Sequence, residues 1–283
     1  MLLNNRFSQP KLQRTAQRTF NNLVAVFFCL LVLIPVYVVI VNAFKDSVGA
    51  RTMNAALPDV LHLENFQTVI ERGKLAQTFV NSMLYSSTAS ALSTILAAMT
   101  AFVLSRNRTR LNRWLYFFLV MGIAIPVNFF TLTKIMQITH LINTQIGIII
   151  LYIATQIPFN VFLIYGFVDA IPRELDEAAI IDGCGSFRLF FSVIFPLLTP
   201  VVVTAGVLNF VGIWNDFLFP LYYLNNSSLW PMTLAVYNFY GQFQQDWNLV
   251  SADIVLTVVP VLIIYLVGQR FILSGLTSGA VKG

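Results

Sequence analysis

The chain has 283 residues, of which 10% are Asp, Glu, Lys or Arg and 57% are apolar, and its mean hydropathy is +0.75. A soluble domain carries about 25% charged residues, so this composition excludes a chain that faces water on all sides. The net charge of +5 lies in short clusters beside apolar blocks, without a basic recognition module, which argues against nucleic acid as a partner.

A helix needs about 20 mostly apolar residues to cross some 30 Å of hydrocarbon. Six stretches meet that requirement: 22–44, 82–105, 114–134, 146–168, 193–218 and 253–272. The first runs well past the apolar length of a signal peptide and is read as a true span. Arg6, Lys11, Arg14 and Arg18 precede it, and Arg106, Arg108, Arg110 and Arg113 crowd the connection after the second. Lys and Arg accumulate on the cytoplasmic side, so both termini and the 169–192 loop are expected there, and the connections 45–81, 135–145 and 219–252 outside. The expectation is an all-α, multi-pass protein of the cell inner membrane, bacterial or archaeal, with lipid around it. It divides into a basic leader (1–21), a first span with its outer loop (22–81), a five-helix core (82–272) and a tail (273–283).

The 169–200 loop departs from the apolar pattern. Pro172 at a first-turn position, Glu174, Asp176 and Glu177 near the positive end of a helix dipole, and Gly183 with Gly185 as a stop predict a helix of three turns. It is too short and too acidic to cross a membrane, so it is expected along the cytoplasmic surface, as an interfacial helix or as a docking element.

The spacing of this loop is specific. Glu177-Ala178-Ala179 is followed after three residues by Gly183, and after nine more by Val193-Ile194-Phe195-Pro196. This resembles the EAA motif of ABC importer permeases, with Val193 for the usual Ile and Phe195 for the usual Leu. Trp214-Asn215-Asp216-Phe217-Leu218-Phe219-Pro220 and the tail from Ser274 to Gly283 resemble the carbohydrate branch of that family, the maltose-permease type. The resemblance covers the chain from about Asn81 onward. It implies a cytoplasmic coupling helix in which Glu177, Ala178, Ala179 and Gly183 meet a separate ATPase. It further implies a second, related permease as heterodimer partner, two ATP-binding subunits and an extracytoplasmic solute-binding protein. The implied activity is import of a sugar or oligosaccharide by alternating access, with another ABC-imported solute or a stand-alone secondary transporter as rival readings.

Other residues carry weaker signals. An ionised carboxylate at membrane depth is costly, so Asp216 is a candidate pathway residue together with Asn209, Trp214 and Asn215, with Tyr222 or Tyr223 as a further stacking face. The same residues could equally fix helix packing. His62 and His140 are read as surface residues, and Cys29 and Cys184 form neither a disulfide framework nor a metal site. The only Gly-Lys pair, Gly73-Lys74, lacks the rest of a phosphate loop. No catalytic or cofactor site is expected in this chain, and ATP and magnesium would bind the partner ATPase.

Overall fold

A computed structural model describes residues 11–240 and 246–280, with side chains described for 17–240 and 246–271. The leader to residue 10 and the last three residues of the tail lie outside the described residues. The described chain is helical. Its principal elements are α1 (Lys11–Ala43), α2 (Glu64–Arg72), α3 (Leu75–Arg106), α4 (Arg110–Ala124), α5 (Phe129–Ile138), α6 (Gln145–Ala170) and α7 (Glu174–Ile181). There follow α8 (Ser186–Leu197), α9 (Thr199–Asn215), α10 (Leu218–Tyr223), α11 (Met232–Ala235) and α12 (Trp247–Ala280).

Among the described residues four helices are long and apolar enough to cross a membrane, α1, α3, α6 and α12, and up to six spans result if each of two bent pairs is one span. The stretches expected at 114–134 and 193–218 are these pairs: α4 meets α5 at 116° and α8 meets α9 at 79°. Their breaks have identifiable causes. Pro126 lies between α4 and α5, where the Asn128 side chain caps α5 by accepting the Thr131 amide at 3.0 Å. Leu189–Ile194 winds as a π-helix, the Phe195 amide reaching back to the Phe190 carbonyl, and Pro196 and Pro200 then remove two donors from the ladder. The sixth stretch begins earlier than expected, at Trp247, which places Asp253 inside a candidate span.

The chain forms two compact units. One comprises the residues up to Gln67 with Phe239–Val255. Its α1 exposes every side chain from Gln17 to Tyr37, as a helix apolar all round requires when lipid is its solvent. After α1 the chain is tied by amides. Asn65 donates to the Ala43 and Lys45 carbonyls at 2.9 and 2.8 Å, and the buried Lys45 ammonium donates to the Asn54 side chain at 2.8 Å. His62 is half-buried and pairs with Glu64 at 2.5 Å, which holds the Glu64 carboxyl below its usual range.

The second unit, Thr68–Asn238 with the chain from Leu256 on, is organised around α3. Its buried face is a run of small residues, Ser82, Ser86, Ala89, Ser90, Ser93, Thr94, Ala97, Ala98, Ala101 and Ser105, and α3 packs chiefly on α6 and α9. Small side chains let helices approach closely where lipid supplies no hydrophobic drive. On α6, a Cβ at Gly122 of α4 would lie 2.9 Å from the Pro158 ring, so that crossing also depends on a missing side chain.

At the centre of the three helices sits a polar knot. Asn209 of α9 donates to Asn160 of α6 at 3.0 Å and to Thr94 and Ser93 of α3 at 3.2 and 3.4 Å, and Asn160 donates to Ser93 at 3.4 Å. Asn160 is fully buried and Asn209 is 2% exposed. Asn209→Ala strands the Asn160 carbonyl oxygen and is expected to cost about 1 kcal/mol of stability, with Asn160→Ala similar and the double variant clearly less than additive. Thermal unfolding of the detergent-solubilised protein in a double-mutant cycle measures this; strict additivity contradicts it.

Candidate functional site

The loop that resembles the motif is built on α7. This helix has eight residues, two turns rather than three, because Pro172 stays outside it and the first turn begins at Glu174. Glu174, Asp176 and Glu177 occupy that turn, where three uncapped amides and the positive dipole end favour carboxylates. The helix ends as the sequence predicts. Gly183 has φ +81°, its amide bonds the Ile180 carbonyl at 3.0 Å, and the Cys184 amide bonds the Ala179 carbonyl at 2.9 Å. This pair of bonds is a Schellman cap, which requires the left-handed conformation that glycine adopts freely.

Only Asp176 and Ala179 of α7 are buried. Ala179 packs in a core cluster with Ala101 and Leu104 of α3, Val168 of α6, and Leu189 and Phe190 of α8. The rest of the helix is uncovered: Ile181 is 85% exposed and Ile180 60%, and beyond the cap Phe187, 73% exposed, shares a groove with Met99, Phe102 and Val103 of α3. Glu177 and Ala178 face outward with them. The predicted set is therefore split, with Glu177, Ala178 and Gly183 on the open side and Ala179 as the anchor.

Charge fastens the loop to the end of α3. Arg106 lies side-on against Asp176, Nε to Oδ2 at 2.5 Å and Nη2 to Oδ1 at 3.4 Å, with 11% and 13% of the two side chains exposed. The directional part is the Nη2 bond, since the Nε–H is not aligned on the oxygen. Arg106 Nη2 also donates to the Ile171 carbonyl at 3.2 Å, Arg173 donates to the Ser105 carbonyl at 3.4 Å, and Ser105 and Arg108 both reach Asp169. The sequence reading counted Arg106 only toward topology and Asp176 only toward the helix dipole. Their partnership is long-range and leaves no local signature.

The four pathway candidates occupy different environments. Trp214 is 1% exposed, stacks on Phe210, and donates its indole N–H to the Thr257 carbonyl at 3.2 Å. Asn209 belongs to the polar knot. Asn215 is exposed, with its amide on the Val211 carbonyl of its own helix. Asp216 ends α9, accepts the Tyr152 hydroxyl at 2.9 Å and the Phe219 amide at 3.2 Å, and its carbonyl accepts Thr233. That turn carries α10, whose Tyr222 ring lies 4.8 Å from Phe129. Phe129, Phe130, Thr133, Lys134, Gln137 and Tyr222 line an open cavity of about 320 Å³. Lys134 closes the stretch expected at 114–134, and a cation at the edge of an apolar stretch is itself a signal. Asp253, 1% exposed with Oδ1 unpartnered, was missed because it stood at a presumed helix end. No group of three potential metal ligands exists among the described residues.

The Schellman cap makes a local prediction. A Cβ on Gly183 meets open space, so Gly183→Ala acts through backbone strain alone and is expected to cost about 1 kcal/mol. Amide exchange in the last turn of α7 should quicken about fivefold, with Gly183→Asn less affected because Asn tolerates this conformation. Equal effects of both substitutions contradict the assignment.

Known proteins share this architecture and sequence. The crystal structure of a bacterial ABC transporter involved in the import of the acidic polysaccharide alginate contains a chain that superposes with a TM-score of 0.80 at 20% identity, covering 93% of this chain and 98% of that one. The melibiose/raffinose/stachyose import permease protein of Bacillus subtilis is 32% identical, over 88% of this chain and 91% of its own length. The diacetylchitobiose uptake system permease protein of Streptomyces coelicolor is also 32% identical, over 96% and 93%. The same identity holds for the multiple sugar-binding transport system permease protein of Streptococcus mutans, over 89% and 93%. A family profile, the binding-protein-dependent transport system inner membrane component, matches residues 93–276, which contain α7, its cap and its anchor on α3. With a profile match over more than half its length and curated relatives along nearly all of it, this multi-pass membrane chain belongs to the family of inner membrane components of binding-protein-dependent transport systems.

Proposed function

We propose that this chain is the permease subunit of an ATP-driven importer that takes a sugar or oligosaccharide from a solute-binding protein and releases it into the cytoplasm. In this reading the two bent pairs each count as one span, giving six, with both termini and α7 on the cytoplasmic side. A second permease completes the pathway, and two copies of an ATPase bind below. The observation that carries the reading is the open face of α7. A two-turn helix capped at Gly183 presents Ile180, Ile181, Ala178 and Glu177 outward while its other side is fixed to α3. Exposed Ile beside a carboxylate is a surface for a protein groove, since apolar side chains of that size on a polar loop gain from burial. The names of the relatives, each a sugar permease, supply the substrate class.

For the pathway, the burial of Asn209 and Trp214 supports a packing role for both, and the hydrogen bonds of Asp216 support a role in shaping the turn after α9. Asn215 then remains as the residue open to solute. The cavity lined by Tyr222 is a second candidate: Phe129, Phe130 and Tyr222 offer ring faces, and Thr133, Lys134 and Gln137 offer donors and acceptors, a combination suited to a sugar. Alternating access would open this outer region when the ATPases close and discharge the solute inward when they separate.

The complex purified through a tag on this chain is expected to bring an ATPase with it and, in proteoliposomes supplied with the binding protein, to accumulate one of a panel of labelled sugars. Ile181→Asp should weaken retention of the ATPase about tenfold, and Glu177→Lys should reduce it in the same direction, with both proteins still inserted. Transport by this chain alone, or full retention and uptake in both variants, contradicts the reading.

A further inference from the structure

The attachment of α7 is narrow. Of its eight residues Ala179 contributes one methyl group to the core cluster, and Asp176 contributes the ion pair to Arg106; the others are exposed. The chain itself joins α7 to α6 through Ile171–Arg173. Without Arg106, force applied to the open face of α7 would pass along the chain into α6 and, through Ala179 and the capped turn, into α8, with no polar tie to α3 from α7 itself. Arg106 adds a second arm. It is the last residue of α3, it grips α7 through Asp176 and the preceding turn through the Ile171 carbonyl, and α3 is the helix into which the Asn160–Asn209 knot is tied. Arg173 closes the circuit from the other side, donating to the Ser105 carbonyl one residue earlier.

We propose that Arg106 is a positioning residue for coupling: its buried side-on pair with Asp176 makes α3 and α7 move together, so that a push on the open face of α7 reaches α3, α6 and α9 as one body. The inference rests on the coupling reading above. The side-on placement is essential to it. The guanidinium lies along the carboxylate with Nε close to Oδ2, and its Nη2 donates both to Asp176 Oδ1 and to the Ile171 carbonyl, so that one group ties the end of α3 to α7 and to the turn before it. A partly buried pair of this kind adds little net stability but is costly to break on one side, because the remaining charge is stranded. It therefore serves orientation more than folding.

The test uses the intact complex with its binding protein in proteoliposomes and reads two rates together, solute taken up and ATP hydrolysed. Arg106→Gln is expected to lower uptake per ATP about tenfold while the ATPase stays bound and hydrolyses at close to the wild-type rate. Asp176→Asn, which is isosteric, should uncouple to the same degree, and the double variant should be no worse than either single one. Arg106→Lys, which keeps the charge and loses the planar group that reaches Asp176 and the Ile171 carbonyl together, should fall between. A wild-type ratio in Arg106→Gln overturns the proposal, and so does a proportional fall of uptake and hydrolysis with loss of the ATPase, which would make the pair a support for docking only. Should Arg106→Gln fail to insert, Asp176→Asn decides alone by the same ratio. If the wild-type complex carries no ATPase, the coupling reading itself fails, an outcome visible before any variant is made.

Discussion

Hydrocarbon offers no hydrogen-bond partners, so polar side chains placed among the spans gain by meeting one another. That constraint shapes the second unit. An α3 rich in Ser, Thr and Ala is a poor lipid-facing helix and a good central one: the hydroxyls of Ser90, Ser93 and Thr94 return to carbonyls one turn back, Ser93 and Thr94 also accept from Asn209, and its alanines bring α6 and α9 close. Stretches of chiefly apolar side chains stay uncovered. α1 exposes its apolar side chains from Gln17 to Tyr37, and α4 buries none.

A rigid α3 gives the loop at its end something to act on. Its last two residues, Ser105 and Arg106, receive or make the bonds that hold 169–176, so the small-residue packing and the ionic clamp are successive parts of one helix. The loop divides its labour by burial. Ala179 and Asp176 are spent on attachment, and Ile180, Ile181, Glu177 and Ala178 remain for whatever meets the loop from outside. The π-helical turn at Leu189–Ile194 and the prolines after it then redirect the chain into α9, so the 177–196 motif includes both the two-turn helix and the return to the membrane.

Much of this was legible in the sequence because the relevant physics is local. Apolar length marked α1, α3, α6 and α12, and Gly183, four residues after the Ala178-Ala179 pair, marked the end of α7, since glycine adopts the left-handed cap freely. The bends were less legible. Pro126, Pro196 and Pro200 were visible, but proline permits a straight continuation as readily as a break in a membrane helix, and the angle depends on what packs beside it. Long-range pairs were illegible in principle from one chain: Arg106 with Asp176, Asp216 with Tyr152, Asn209 with Asn160 are 49 to 70 residues apart.

Asp216 shows why depth in a span is a weak guide to role. The cost of a carboxylate near the membrane argues that such a residue is retained for a reason, but the reason need not be solute. Here the acid receives a phenol from α6 and the amide that opens the next helix, and its own carbonyl takes Thr233, so it forms the joint on which Tyr222 is carried toward Phe129. Trp214 beside it is buried and bonded to Thr257, and Asn215 alone of the three faces out. A contiguous motif thus holds a packing residue, an open residue and a turn-former. Accessibility, which sequence spacing does not encode, is what separates the open residue from those that hold it in place.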